Sequence, residues 1–215
     1  MTALGLTFTA TETAVAATPG WAGESILSLA GTGNGWEPAI AADPSAPYVY
    51  AAWMQYSGTR VKIYYRVSAD GGTTWNAGAP ICSSCSTQQG QYDITLATSS
   101  SGVVYATWMQ GNNISFAKST DHGSTWSLPL TVSAGVWADK PWLTVSPSGN
   151  DIYVAWSTHG NVVVTSSHDG GATFTPPQEI TNESSIYYYP NGGTVLPNGT
   201  VLFAASEYPE KGNNT

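Results

Sequence analysis

Short runs of Val, Ile, Tyr, Trp and Thr are cut along this chain by Gly, Asn, Asp, Ser and Pro, which predicts strands closed by tight turns and leaves little for a helix. The punctuation is periodic. Ser68-Ala-Asp70-Gly-Gly72-Thr-Thr74-Trp75 returns as Ser119-Thr-Asp121-His-Gly123-Ser-Thr125-Trp126 and again as Ser167-His-Asp169-Gly-Gly171-Ala-Thr173-Phe174, with aspartates 51 and 48 residues apart. The pattern is S-x-D-x-G-x-T-W/F. The rest of the period also repeats: residues 38–55 resemble 94–110, 141–157 and, more loosely, 193–206. Each unit reads as four short strands. In the second unit they are expected at Ile94 to Ala97, Val103 to Met109, Ile114 to Ser119 and Trp126 to Thr131.

A period of 40 to 50 residues with four strands describes a propeller blade rather than a solenoid coil. The expected fold is therefore all-β, a β-propeller of four-stranded antiparallel blades. Blades with boxes are expected at 36–80, 81–131 and 132–180, a partial blade at 181–215, and strands or a blade remnant at 1–35, around Leu6 to Thr11 and Ser25 to Ala30. About three and a half blades are present. The chain then reads as an incomplete propeller whose partners include remaining blades of a parent protein, or as an unusual four-bladed form.

Composition narrows the function classes. Only 9% of the 215 residues are charged, against about 25% in an ordinary domain, while 41% are hydrophobic and 12% aromatic. Such a chain folds. The formal charge of -8 opposes the phosphate neutralisation behind most nucleic-acid affinity, so no nucleic acid is expected. No window approaches the roughly 18 to 20 apolar residues of a membrane-spanning helix. The first basic residue is Arg60, so a secretory n-region is not evident, although Ala14 to Ala17 suits a small-residue cleavage site. Low charge, abundant Thr, Ser, Gly and Trp, and a single cysteine pair fit an extracellular or cell-surface protein.

The boxes resemble the Asp-box, or BNR, repeat of the sialidase superfamily, and the resemblance spans roughly Trp36 to Ser206. It implies a β-propeller with each box in the hairpin between third and fourth strands, on the face opposite the active site, in a structural role. The chemistry of the box agrees. An Asp side chain accepts hydrogen bonds from its own turn, Gly supplies positive φ, and the aromatic buries against the next sheet. The resemblance also implies a site with three arginines on a substrate carboxylate, a Tyr assisted by a Glu, and an Asp as general acid. This chain has two arginines, Arg60 and Arg66, and its first blade entry reads Trp36-Glu37-Pro38-Ala39-Ile40. A complete arginine triad cannot form within these residues, so no family catalytic residue is carried over.

If the boxes lie on one face, loops entering each first strand and loops between second and third strands build the other. The entries offer Trp36 and Glu37, then Gln91, Tyr92 and Asp93, then Trp137, Asp139 and Lys140, then Tyr187 to Tyr189 and Asn191; the second set includes Thr158 and His159. Aromatics, amides and carboxylates on one rim suit sugar recognition, since aromatic faces stack on sugar faces while amides and carboxylates bind hydroxyls. A glycan or glycoconjugate is the expected partner, with Trp36, Tyr92, Trp137, Asp139 and His159 as candidate ligand residues. Glu37 and Asp93 are the candidate catalytic carboxylates of a glycosidase; a non-catalytic adhesion or scaffold propeller is the remaining alternative. The same aromatics also suit simple packing between sheets.

Cys82-Ser-Ser-Cys85 reads as a small-ring disulfide in an exported protein, with a redox pair, half of a zinc site and two free thiols as alternatives. No metal and no cofactor is expected. Asn113, Asn182, Asn198 and Asn213 each open an N-glycosylation acceptor sequence, relevant only on a eukaryotic secretory route.

Overall fold

The computed structural model describes residues 26–29, 35–85, 89–133, 135, 137–182 and 186–209. Its first sheet pairs β1 (Gly35–Ala42), β2 (Val49–Ser57), β3 (Arg60–Ser68) and β4 (Ala79–Pro80) in that order. The second pairs β5 (Gln91–Thr98), β6 (Val104–Gln110), β7 (Asn113–Ser119) and β8 (Leu130–Thr131), and the third β9 (Asp139–Val145), β10 (Ile152–Thr158), β11 (Asn161–Ser167) and β12 (Gln178–Glu179). The last holds β13 (Ile186–Val195) and β14 (Val201–Pro209). All pairings are antiparallel.

The first strands pack side by side in chain order, β1 on β5, β5 on β9 and β9 on β13. Sheets whose innermost strands line one axis form the blades of a propeller. Because inner blades are covered on both faces, their second strands are buried along nearly the whole length, which is why Tyr105-Ala-Thr-Trp108-Met109 is apolar but for Thr107 rather than alternating. One core lies between the first and second blades, where Met54, Ile63 and Val67 meet Ile94, Val104 and Trp108. The next, between the second and third, joins Met109, Ile114 and Phe116 to Leu143, Val154 and Trp156. Trp108 and Trp156 are fully buried, and truncating either to Ala is worth about 3–5 kcal/mol.

Each box occupies the hairpin from third to fourth strand. The Asp121 carboxylate accepts from Ser119 Oγ at 2.7 Å, the Thr125 N–H at 2.9 Å and Thr125 Oγ1 at 2.6 Å, while Ser119 Oγ accepts the Gly123 N–H at 2.9 Å. Asp70 and Asp169 repeat this closure with Ser68, Gly72 and Thr74 and with Ser167, Gly171 and Thr173. So many donors aimed at one carboxylate hold Asp70 and Asp121 at a pKa of about 2, and Asp169 is lowered for the same reason. The aromatics of the second and third boxes cross to the sheet that precedes them in the chain. Trp126 meets Tyr65 edge-on at 5.6 Å and Phe174 meets Phe116 at 5.0 Å, and the Tyr65 hydroxyl donates to the Gly123 carbonyl at 3.0 Å.

Three expectations change. The fourth strands are only two residues long, so the strand expected over Trp126 to Thr131 reduces to Leu130–Thr131. The reason is that the Trp126 ring is committed to Tyr65 and Pro129 has no N–H to give a ladder. The last pair is longer than the loose repeat over 193–206 suggested, running Ile186–Val195 and Val201–Pro209. The stretch around Leu6 to Thr11 and the acceptor at Asn213 lie outside the described residues; of Ser25 to Ala30, Ile26 to Leu29 are described and are not strand. The Leu29 backbone instead exchanges two hydrogen bonds with the Gln55 side chain, at 3.2 and 3.1 Å.

Candidate functional site

Strand register separates the two ends of each blade. Trp36 stands opposite Met54 and Met54 opposite Ile63, whereas Ala42 stands opposite Val49 and Val49 opposite Ser68. Six residues of strand therefore set the start of β1 and the first box roughly 20 Å apart. The first-strand entries and the turns between second and third strands share the end away from the boxes.

At that end every first strand is bulged. Glu37 and Pro38 together face Trp53, Asp93 and Ile94 face Trp108, and Lys140 and Pro141 face Trp156, two residues against one in each case. Asn191 is the extra residue of β13. The first residue of each full-blade bulge lies in the left-handed region, with φ of 50° at Glu37, 53° at Asp93 and 52° at Lys140. None of the three is glycine. Such a conformation costs an L-residue roughly 1–2 kcal/mol, and its effect is to turn three side chains of three blades toward one another.

Lys140 Nζ donates to Glu37 Oε1 at 2.8 Å and to Asp93 Oδ1 at 2.5 Å, and the Asp93 N–H donates to Glu37 Oε2 at 3.1 Å. The Asp93 side chain is only 9% exposed. Burial, and then the adjacent Glu37 carboxylate, push Asp93 up to a pKa of about 7 against the opposing pull of Lys140. Burial also works against the Glu37 charge, but its hydrogen bonds to Asp93 and Lys140 outweigh that and hold Glu37 below the usual carboxylate range. Lys140 loses hydration in the same way, and its bonds to Asp93 and Glu37 more than compensate, so its pKa is raised. One carboxyl thus keeps its proton near neutral pH beside another that is ionised. These three residues, with Trp142, Pro190 and Asn191, border a cavity of about 200 Å³.

The structure brings Glu37 and Asp93 together and adds Lys140, an entry residue that reasoning from residue type did not single out. Its signal was positional: Glu37, Asp93 and Lys140 stand at equivalent points of the period, 56 and 47 residues apart. Among the rim aromatics, Trp36 is half-buried and tilts against the exposed Tyr56 at 5.3 Å. Tyr92 is half-buried too and packs against both inter-blade cores. Trp137, 37% exposed, tilts on His159 at 5.8 Å, and its carbonyl accepts from Thr158 Oγ1. His159 is itself left-handed, with φ 48°. Asp139 is half-buried at the start of β9, opposite Ser157. Cys82 and Cys85 are joined in a disulfide just beyond β4, near the second box. Arg60 opens β3 and Arg66 lies within it opposite Ala51, so Arg66 is far along the sheet from Glu37.

Among the described residues, no three His, Cys, Asp or Glu are grouped to hold a metal, and no helix is long and apolar enough to cross a membrane. No protein-family model and no curated protein matches the chain. Solved structures do. A protein of unknown function from Dyadobacter fermentans is 14% identical with a TM-score of 0.61, over 81% of this chain and 62% of its own. An α-L-arabinanase from Penicillium chrysogenum, complexed with arabinobiose, is 18% identical with a TM-score of 0.62, over 84% and 60%. An α-L-arabinofuranosidase from Podospora anserina, in complex with cellotriose, is 9% identical with a TM-score of 0.51, over 85% and 66%. At these identities the likeness is one of fold. The chain spans somewhat under two thirds of the length of these neighbours.

Proposed function

We propose that this chain is the ligand-facing part of an exported, carbohydrate-binding propeller, with the glycan seated at the mouth bordered by Glu37, Asp93, Lys140 and Asn191. One observation carries the reading. Three successive blades carry backbone strain at the same bulged position, which aims a Glu, an Asp and a Lys into one cavity, and residues held in such conformations cluster at functional sites. The exposed rings of Tyr56 and Trp137 at the same end supply surfaces on which a sugar can stack. Fold neighbours named as an arabinanase and an arabinofuranosidase support a sugar as the occupant. The disulfide supports export.

A second reading, glycoside hydrolysis at the same mouth, is favoured by the divergence of the two carboxyls. Asp93 near pKa 7 suits the general acid that protonates a leaving oxygen, and the ionised Glu37 beside it suits stabilising the positive charge that develops on the sugar ring. The exo-sialidase form of this reading draws nothing from Arg60 or Arg66, which lie outside the cavity lining. A glycan array probed with the chain and with Glu37→Gln tests the first reading: saturable binding that is weakened but not abolished in the variant is expected, and no binding by folded protein refutes it. Release of a fluorophore from aryl glycosides, abolished by Asp93→Asn, distinguishes the second.

A further inference from the structure

The charge balance of the mouth restricts what can enter it. Its cavity of about 200 Å³ is walled by Pro38, Pro141, Pro190 and Trp142. That is room for about seven waters by their share of liquid volume, the scale of one sugar ring rather than of a folded oligosaccharide. Among the described residues the one ammonium there is shared: Lys140 Nζ already donates to both Glu37 Oε1 and Asp93 Oδ1. Neither arginine supplements it. Arg60 is exposed where β3 begins, and the Arg66 side chain lies against Gly78.

A sugar carboxylate placed in this cavity would stand beside the Glu37 carboxylate with no unshared cation among the described residues to meet it, a like-charge contact that partial burial strengthens. A neutral sugar has no such conflict. Its hydroxyls can donate to Glu37 and Asp93 and accept from Lys140 and Asn191, while its C–H face lies against Trp142 and the proline rings. We infer that the mouth accepts a single neutral terminal sugar residue and that Glu37 excludes acidic ones such as sialic and uronic acids. This rests on the carbohydrate-binding reading above.

The test is the full chain on an array carrying matched neutral, sialylated and uronic-acid termini, followed by titration calorimetry of the strongest hit and of its acidic counterpart. Binding to neutral termini is expected, with acidic counterparts at least tenfold weaker, and Glu37→Gln should narrow that gap several-fold. Asp93→Asn, which leaves the Glu37 charge in place, should preserve it. Acidic termini bound as tightly as neutral ones would overturn the inference while leaving carbohydrate binding intact. Binding to no glycan would remove both.

Discussion

Substituting Lys140 by glycine and by alanine separates the backbone of the bulge from the charge it presents. Both variants lose the ammonium and its bonds to Glu37 and Asp93 equally, so their difference in stability reports the backbone alone. At an ordinary strand position glycine is the less stable of the two by about 0.5–1 kcal/mol. At φ 52° the order reverses, because alanine bears roughly 1–2 kcal/mol of left-handed strain that glycine does not. Lys140→Gly is therefore expected to exceed Lys140→Ala by about 1 kcal/mol. The same sign is expected for Glu37→Gly against Glu37→Ala, since φ is 50° there. Ala39→Gly, two residues along the same first strand and back in regular register opposite Ala52, serves as the control and should lose stability. Urea unfolding with shared m-values reads the difference, which corresponds to a shift of about 2–4 °C in Tm for a chain of this size. Alanine variants as stable as glycine variants at both positions would refute the claim that the bulges store strain.

Three further outcomes follow from the geometry. Asp93 holds a proton in the folded state that the unfolded chain releases, so its stabilising contribution is complete below about pH 4 and is lost as pH rises toward about 7; Asp93→Asn should flatten that part of the stability profile, and an unchanged slope would count against the assigned environment. Gly123→Ala and Gly171→Ala should each cost about 2–4 kcal/mol, since a Cβ would sit 2.8 Å from Val67 and 2.6 Å from Phe116 at φ of 78° and 83°. Gly58→Ala, at φ 66° with nothing within 4 Å, should cost only about 1 kcal/mol in the same melts. Replacing Cys82 and Cys85 together by serine should lower stability by no more than about 2 kcal/mol, because the ring they close is so short; a larger loss would mean that the bridge fixes the turn after β4 rather than only limiting the unfolded chain.

The boxes were legible in the sequence because their physics is local. Ser, Asp, Gly and Thr at fixed offsets within one turn close the same hydrogen bonds wherever the chain goes. The blade period followed from them, and with it the opposite end as the place to look for a site. The mouth was only half legible. Glu37 and Asp93 stood out as acids at strand entries, but Lys140 joins them through register and three bulges, which depend on pairing with Trp53, Trp108 and Trp156. Nothing in Trp36-Glu37-Pro38 or Tyr92-Asp93-Ile94 announces a left-handed residue, since no glycine marks it. Trp36 and Tyr92 show the complementary ambiguity: an aromatic at a blade entry can face a ligand or a neighbouring sheet, and both spread part of their surface into the inter-blade cores. The shortened fourth strands depended on where Trp126 and Phe174 pack, which is tertiary information.

The claim that sugar binds at the axial mouth is tested most directly by titrating the ¹⁵N-labelled chain with the glycan selected on the array and mapping the amide shifts. Shifts centred on residues 36–38, 92–94, 139–141 and 190–192, with the box turns at 68–75, 119–126 and 167–174 unmoved, are predicted. Shifts centred on the box turns, or none in the bulges at saturating glycan, would contradict it.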